Sequence, residues 1–311
     1  MKRVPYEVMV NEFERVLTKY GFEPKDAKAS AELFAQNSMA GVYSHGLNRF
    51  PRVVEYLKKG EIDPKVKAEK IMGFGAFERW DGHRGFGPLN AKLAMDRAVE
   101  LAKEFGMGIV ALGNNNHWMR GGSYGWQAAD QGCIGICWSN TMPNMPAWGG
   151  KDRKIGNNPF ILAVQKSNCD HVVVDCAVSQ FSYGKIEEAR LKGQQLPVPG
   201  GYDEEGNLTT DPAAIEKTWR VLPMGYWKGS GISILLDLIS TVLTIDPGKF
   251  NDTETTDRIV DELVADIKSS IPIKEGGTVF YPGEIEINTR KDNQENGIPV
   301  IEEKWDLITS L

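Results

Sequence analysis

No dinucleotide fingerprint of the form G-x-G-x-x-G occurs where a strand would turn into a helix. The glycine groups present, Gly82-x-x-Gly85-x-Gly87, Gly121-Gly122-x-x-Gly125 and Gly229-x-Gly231, have other spacings. Walker A is missing too, which excludes a phosphate-cradling P-loop. There is no apolar run near the length of a membrane span. The N-terminal MKRVPYEVMVNEFERVL starts basic but turns amphipathic and acidic, unlike a signal peptide. Positive charge is not in excess: the net charge of -6 argues against a general nucleic-acid binder. It leaves room for one anion in a locally positive pocket. Of the four cysteines, Cys133, Cys137, Cys169 and Cys176, none forms a CxxC pair, so no metal is expected. Core thiols in a reducing, cytoplasmic setting are the expectation.

What is present is an ordinary globular composition, 41% hydrophobic and 25% charged over 311 residues, enough for a sizeable core. Met9, Phe13, Val16, Leu17 and Tyr20 recur at helical spacing, and Gly21 is placed to stop that helix. Pro24 opens a second helix through Ala27, Ala31, Phe34 and Ala35. Strands are predicted near Val66–Met72 and Phe77–Trp80, followed by a long helix from Pro88 that Gly106 closes. Met107–Leu112, Ile134–Trp138, Phe160–Val164 and His171–Asp175 read as further strands, interleaved with helices. That alternation indicates an α/β core. Gly229 to Leu243 is strongly apolar and reads as one mostly buried helix. Thr256 to Ile267 reads as an amphipathic helix, and Glu302 to Leu311 as a short terminal one. The helical ends bracket a strand-rich centre, so residues 1–65 and 284–311 are expected to form one helical subdomain around an α/β core at 66–283.

Two polar stretches carry chemistry. In Tyr43-Ser44-His45-Gly46-Leu47-Asn48-Arg49-Phe50-Pro51-Arg52, a hydroxyl, an imidazole and two guanidinium groups fall close together. If the chain is helical there, His45 and Arg49 project from one face. A proton donor beside a fixed cation suits reduction of a carbonyl on an anionic substrate. Asn114 to Gly125 follows a buried strand and presents His117, Arg120 and Ser123 where strand-end loops place function. The ordinary alternative is that Trp118, Met119 and Trp126 pack and His117 bonds backbone. Gly121-Gly122-Ser123-Tyr124-Gly125 also matches the G-x-S-x-G elbow of serine hydrolases, but the stretch Asn114 to Arg120 intervenes between the strand and it. Farther on, Lys228 and the glycines before the apolar helix could seat an anion at a helix N-terminus.

GVYSHGLNRFP, NNNHWMRGGSYGWQAA, WSNTMPNMPAWGG, KIGNNPF and LPMGYWKGSG, in that order, resemble the malate/L-lactate dehydrogenase family that lacks the Rossmann fingerprint. The HWMRGGSYGWQ and MGYWKGSG spellings resemble most its branch acting on a diketo sugar acid. The resemblance implies a non-Rossmann α/β fold of the sulfolactate dehydrogenase type: a mixed sheet core with helices, and N- and C-terminal helices packed as one subdomain. It implies reduction of a small-molecule 2-keto acid with NAD, NADH being preferred to NADPH. Members acting on malate, lactate or sulfolactate are the alternative. A homodimer with its site near the subunit contact is implied, with no nucleic acid and no membrane. His45 matches the family's acid/base histidine, Ser44 its neighbour, Arg49 the arginine facing substrate, and His117 a second histidine of the same pocket. The cofactor segments correspond to His171, Val172, Val173, Val174, Asp175, Cys176 and Ala177, to Trp227 and Lys228, and to Gly283 and Glu284. One departure is large. Relatives continue after the apolar helix with a glycine-rich loop and a buried strand, whereas Thr244 here runs straight into Ile245-Asp246-Pro247. Loss of a core strand should not be tolerated, so a chain break between Thr244 and Ile245 is the expectation.

Overall fold

A computed structural model describes residues 2–150, 152–238, 242–245 and 283–311, with scattered positions between 254 and 278. The chain divides into two compact units. One comprises Met1–Ile136, Leu162–Val174 and Val242–Leu311, and the other Cys137–Ile161 and Asp175–Thr241.

In the first unit, the helices Tyr6–Lys19, Pro24–Met39 and Phe50–Lys58 turn their apolar faces onto one another. Phe13 stacks on Phe50 at 4.2 Å between ring centroids, and Phe34 meets Phe50 edge-on at 5.2 Å. Such pairs add to plain area burial. The C-terminal end joins the same core. Lys2–Val4 pairs antiparallel with Ile298–Val300, and Trp305 and Ile308 of the last helix are buried with Phe13 and Leu17. The two ends therefore pack as one helical layer, as expected. Gly21 (φ +93) and Gly106 (φ +87) end their helices in the left-handed region, where a side chain would be strained.

The mixed sheet has seven strands, in the order Glu69–Phe74, Phe77–Asp81, Met107–Gly113, Val242–Ile245, Ile134–Trp138, Pro159–Val164 and Val172–Ala177. Phe77–Asp81 runs parallel to Met107–Gly113 and antiparallel to the edge strand Glu69–Phe74. The long helix Gly87–Phe105 packs on Met107–Gly113, its Ala94, Ala98 and Ala102 fully buried.

One expectation requires correction. The apolar run from Gly229 is not one buried helix. The helix spans Trp227–Leu238 with Ile232, Ile234 and Leu235 exposed, and Val242–Ile245 forms a strand antiparallel to Met107–Gly113. That strand pairs Thr244 with Gly108 and Ile245 with Met107. Most of the amphipathic helix read at 256–267 lies outside the described residues. Among the described residues no helix is long and apolar enough to cross a membrane.

The helix Pro24–Met39 also sets the path of the next loop. A Cβ on Gly46 would lie 2.8 Å from the Ser38 amide nitrogen and 2.9 Å from the Phe34 carbonyl oxygen. Neither is free to move without unwinding the helix. Gly46→Ala is therefore expected to cost about 1–3 kcal/mol as an overpacking substitution, measured by urea unfolding. An unchanged midpoint would contradict this packing.

Candidate active site

The stretch carrying His45 is not an α-helix. Tyr43–His45 form one 3-10 turn, and turns at Gly46–Arg49 lead into the helix Phe50–Lys58. The last turns of Pro24–Met39 hold it. Asn37 Nδ2 donates to the His45 carbonyl at 3.1 Å, and the Leu47 amide donates to Ser38 Oγ at 2.9 Å. Ser44 Oγ sits 3.2 Å from His45 Nδ1.

His117 is placed by the loop after Met107–Gly113. Asn114, in the left-handed region at φ +50, donates from Nδ2 to Asp81 at 2.9 Å. Asn116 Nδ2 donates to the Gly85 carbonyl at 3.1 Å. Buried Asn90 joins the Gly82 carbonyl to Asn115 Oδ1, each at 3.0 Å. A Cβ on Gly87 would come within 2.3 Å of both the Asn116 and His117 carbonyl oxygens, so the helix start lies directly against this loop. The 82–87 glycines thus serve a tight turn beneath the asparagine triplet. The Met119 amide, on a residue at φ +66, donates to His117 Nδ1 at 3.1 Å. That leaves the proton of a neutral His117 on Nε2.

These two loops bring the imidazoles together. The His45 and His117 rings lie parallel, 5.7 Å between centroids and 6° apart in plane. By accessible surface His45 is half-buried and His117 exposed, so a small molecule can reach both. The atoms packed around them still displace enough solvent to disfavour charge. Burial, then Arg49 and Arg120, lowers His45 to about 4. Burial, then His45 itself, Arg49 and Arg52, lowers His117 to about 3. Both imidazoles of the free site are therefore neutral at pH 7. Two imidazoles this close titrate as a pair, so the site takes one proton before a second.

The cations converge on the same place. Arg49 is the N-cap of Phe50–Lys58, and its charge is felt by both imidazoles although the two side chains do not share a helix face. Arg120 is buried in the turn after Met119, with its guanidinium 3.7 Å from Glu286. Asn37 was not legible as a site residue. An asparagine inside an apolar helix, eight residues before a histidine, was the only signal.

The segments expected to hold a cofactor are partly joined. Gly283, at φ +95, caps the helix Glu284–Asn296, and a Cβ there would lie 3.1 Å from both the His171 carbonyl oxygen and the Val173 amide nitrogen. Gly283 and the start of Val172–Ala177 thus lie directly against each other, with no room for a side chain between them. His171 offers no side chain to this contact. It is 1% exposed, its Nε2 bonds Asp130 at 3.0 Å, and its Nδ1 accepts from the Lys166 amide at 2.9 Å. Asp175, Cys176 and Ala177 are half-buried in the second unit, where Trp227 and Lys228 are exposed at a helix start. In that start Gly229 lets the chain lie against the Met224 carbonyl, 2.3 Å from where a Cβ would be. Ser230 Oγ accepts from the Trp148 amide at 3.0 Å.

Two other chemistries lose their basis. Ser123 lies inside the helix Gly122–Asp130 rather than at a strand end, and its hydroxyl donates to Asn37 Oδ1 at 2.7 Å, not to a histidine. Asp130, Cys169 and His171 bring their potential ligand atoms within 4.8 Å of one another, a cluster their sequence spacing hides. A histidine giving Nε2 to a metal keeps its proton on Nδ1, yet here Nδ1 accepts from an amide. The cluster is a histidine–aspartate pair.

The chain matches the family described as malate/L-lactate dehydrogenase over residues 4–245 and 241–309. It is 44% identical over 333 aligned positions to 2,3-diketo-L-gulonate reductase of Citrobacter koseri, covering 99% of this chain and all of that one. The reductase of Escherichia coli is similar to the same degree. Among solved structures, sulfolactate dehydrogenase of Methanocaldococcus jannaschii superposes with a TM-score of 0.90 at 31% identity, covering 99% of this chain and 95% of its own. Malate dehydrogenase of Entamoeba histolytica shares the fold, with a TM-score of 0.94 at 22% identity over 99% and 96% of the two chains. The chain belongs to the malate/L-lactate dehydrogenase family and is an oxidoreductase. Within that family the curated relatives at 44% identity are 2,3-diketo-L-gulonate reductases.

Proton NMR of the imidazole ring protons tests the electrostatics. His45 is expected to titrate at about 4 and His117 at about 3. His45→Gln, by removing the neighbouring charge, should raise His117. A midpoint near the ordinary ~6.5 for either ring in the native protein would contradict the site.

Proposed function

We propose that this protein reduces the C2 carbonyl of 2,3-diketo-L-gulonate to give 3-keto-L-gulonate, with His45 as the proton donor. The observation that carries the reading is the stacked histidine pair beside Arg49. It joins an acid to a fixed cation in a half-buried site, on a chain 44% identical to reductases of that name. A bound reduced nicotinamide dinucleotide, NADH in preference to NADPH, supplies the hydride. Residues 172–177, Trp227, Lys228, Gly283 and Glu284 are proposed to hold it.

Arg49 takes the substrate carboxylate, for which a guanidinium offers two parallel donors. Burial and, after it, the Arg49 charge hold His45 low, and a carboxylate there offsets the second of these. His45 then gains a proton as the anion enters and delivers it to the carbonyl oxygen as C2 is reduced. Ser44, through His45 Nδ1, holds the ring's orientation, and His117 presents Nε2–H to the second oxo group. In the oxidative direction, on malate, lactate or a sulfonated hydroxy acid, neutral His45 would act as the base. That is the reading to prefer if the diketo acid is not consumed.

The proposal extends to a cytoplasmic homodimer. Ile71, Met72 and Phe74 leave apolar area exposed on the edge strand, and the four cysteines are free thiols, two of them buried. Light scattering should then give twice the 34.5 kDa of one chain.

The kinetic test follows NADH absorbance over a panel of 2-keto acids, with 2,3-diketo-L-gulonate expected to give the highest kcat/KM. His45→Ala should lower kcat at least ~100-fold, the lower range of general acid catalysis. Arg49→Lys should mainly raise KM. Because reduction consumes one proton that the free enzyme does not hold above the lowered His45 value, kcat/KM for reduction should fall near tenfold per pH unit above it. An unaltered kcat in His45→Ala, or a pH profile flat to neutrality, would reject the donor.

A further inference from the structure

Asn37 sits where the two histidine loops could be joined. It is 1% exposed, in the last turns of Pro24–Met39, and each of its polar groups is used. Its backbone carbonyl accepts from the Val42 amide at 2.9 Å, at the entrance of the His45 turn. Its Nδ2 donates to the His45 carbonyl at 3.1 Å, and its Oδ1 accepts from Ser123 Oγ at 2.7 Å. Ser123 opens the helix Gly122–Asp130, which starts five residues after His117. One buried amide therefore bonds to the loop bearing the first imidazole and to the helix whose Tyr124 hydroxyl donates to the carbonyl of Trp118, next to the second.

We infer that Asn37, acting with the Ser123 hydroxyl, is a positioning residue that sets the spacing of His45 against His117. An asparagine suits the task because its side chain offers a donor and an acceptor in one plane, and here each meets a different loop. An aspartate would have no donor for the His45 carbonyl, and a leucine would leave a buried acceptor on one side and a hydroxyl on the other without this partner. The amide's rigidity passes from the helix to the His45 turn, while the absent side chain of Gly46 keeps that turn seated on Ser38. A displacement of about 1 Å in an acid group is enough to lose a large part of its catalytic effect.

The inference rests on His45 as donor, and the experiment separates the two. Asn37→Ala, Ser123→Ala, their double variant, Ser123→Thr and His45→Ala are compared by steady-state kinetics at saturating keto acid and by proton NMR of the histidines. Asn37→Ala and Ser123→Ala should each lower kcat by roughly tenfold to a hundredfold while KM changes little. In both, the His45 midpoint should move up toward the ordinary histidine range as the turn relaxes into solvent. The double variant should be no worse than Asn37→Ala alone, because both substitutions break one linkage. Ser123→Thr, which keeps the hydroxyl, should recover most of the loss. Additive losses, or folded variants with native kcat and an unmoved His45 titration, would overturn the inference. If Asn37→Ala does not fold, Ser123→Ala breaks the same hydrogen bond at a half-buried site and decides alone. If His45→Ala keeps its kcat, the donor assignment fails, while the NMR shift in Asn37→Ala still reports whether the clamp exists.

Discussion

The grip of one helix end on the backbone of the next loop is the constraint on which the site depends. Asn37 holds the His45 carbonyl, Ser38 receives the Leu47 amide, and Gly46 between them has no side chain to force the two apart. These are polar bonds made at the border of an apolar core, where leaving one unmade is costly. Phe34 and Phe50 flank the grip in sequence and share that core, so helix packing and imidazole placement are one structural event. The second imidazole depends on a similar device. Gly87 admits the start of a long helix against the His117 carbonyl, and three successive asparagines tie the loop to its neighbours.

The electrostatics follow from that placement. Arg49, Arg52 and Arg120 surround a pair of rings that can share a single proton, and burial disfavours even that one. A site so arranged is poor at holding a proton when empty and better once an anion neutralises Arg49. Under the proposed function, binding and protonation are then linked, so the acid becomes competent when the keto acid arrives.

The fold was legible wherever periodicity and stop signals agreed. The helices Tyr6–Lys19 and Gly87–Phe105 begin and end within a residue or two of where Gly21, Pro88 and Gly106 place them. His45 and His117 could be singled out because each lies in a dense polar stretch beside arginine, and the family resemblance supplied their partnership. Their facing geometry was not readable, since 72 residues separate them and the contact is made by packing. The helical guess for Ser44–Arg49 failed because Gly46 adopts a non-helical backbone (φ -116, ψ -123). Asn37 is not legible in the sequence because a polar residue amid a helix's apolar face carries no mark of what it will bond. The apolar stretch from Gly229 is ambiguous in sequence because hydrophobicity alone cannot distinguish a buried helix from a helix followed by a strand.

That last stretch also sets this chain apart from its relatives. The alignment to the reductases spans 333 positions against 311 residues here, and the family match divides at 241–245. The relatives therefore carry residues with no counterpart in this chain, and at the division Val242–Ile245 forms the strand beside Met107–Gly113. The histidine pair and its clamp lie in segments outside that division. Calorimetry of keto-acid binding without cofactor, at pH 7 in two buffers of different ionisation enthalpy, tests the linkage of anion and proton most directly. The account expects net proton uptake on binding, abolished in His45→Gln; binding of equal strength with no uptake in the native protein would contradict it.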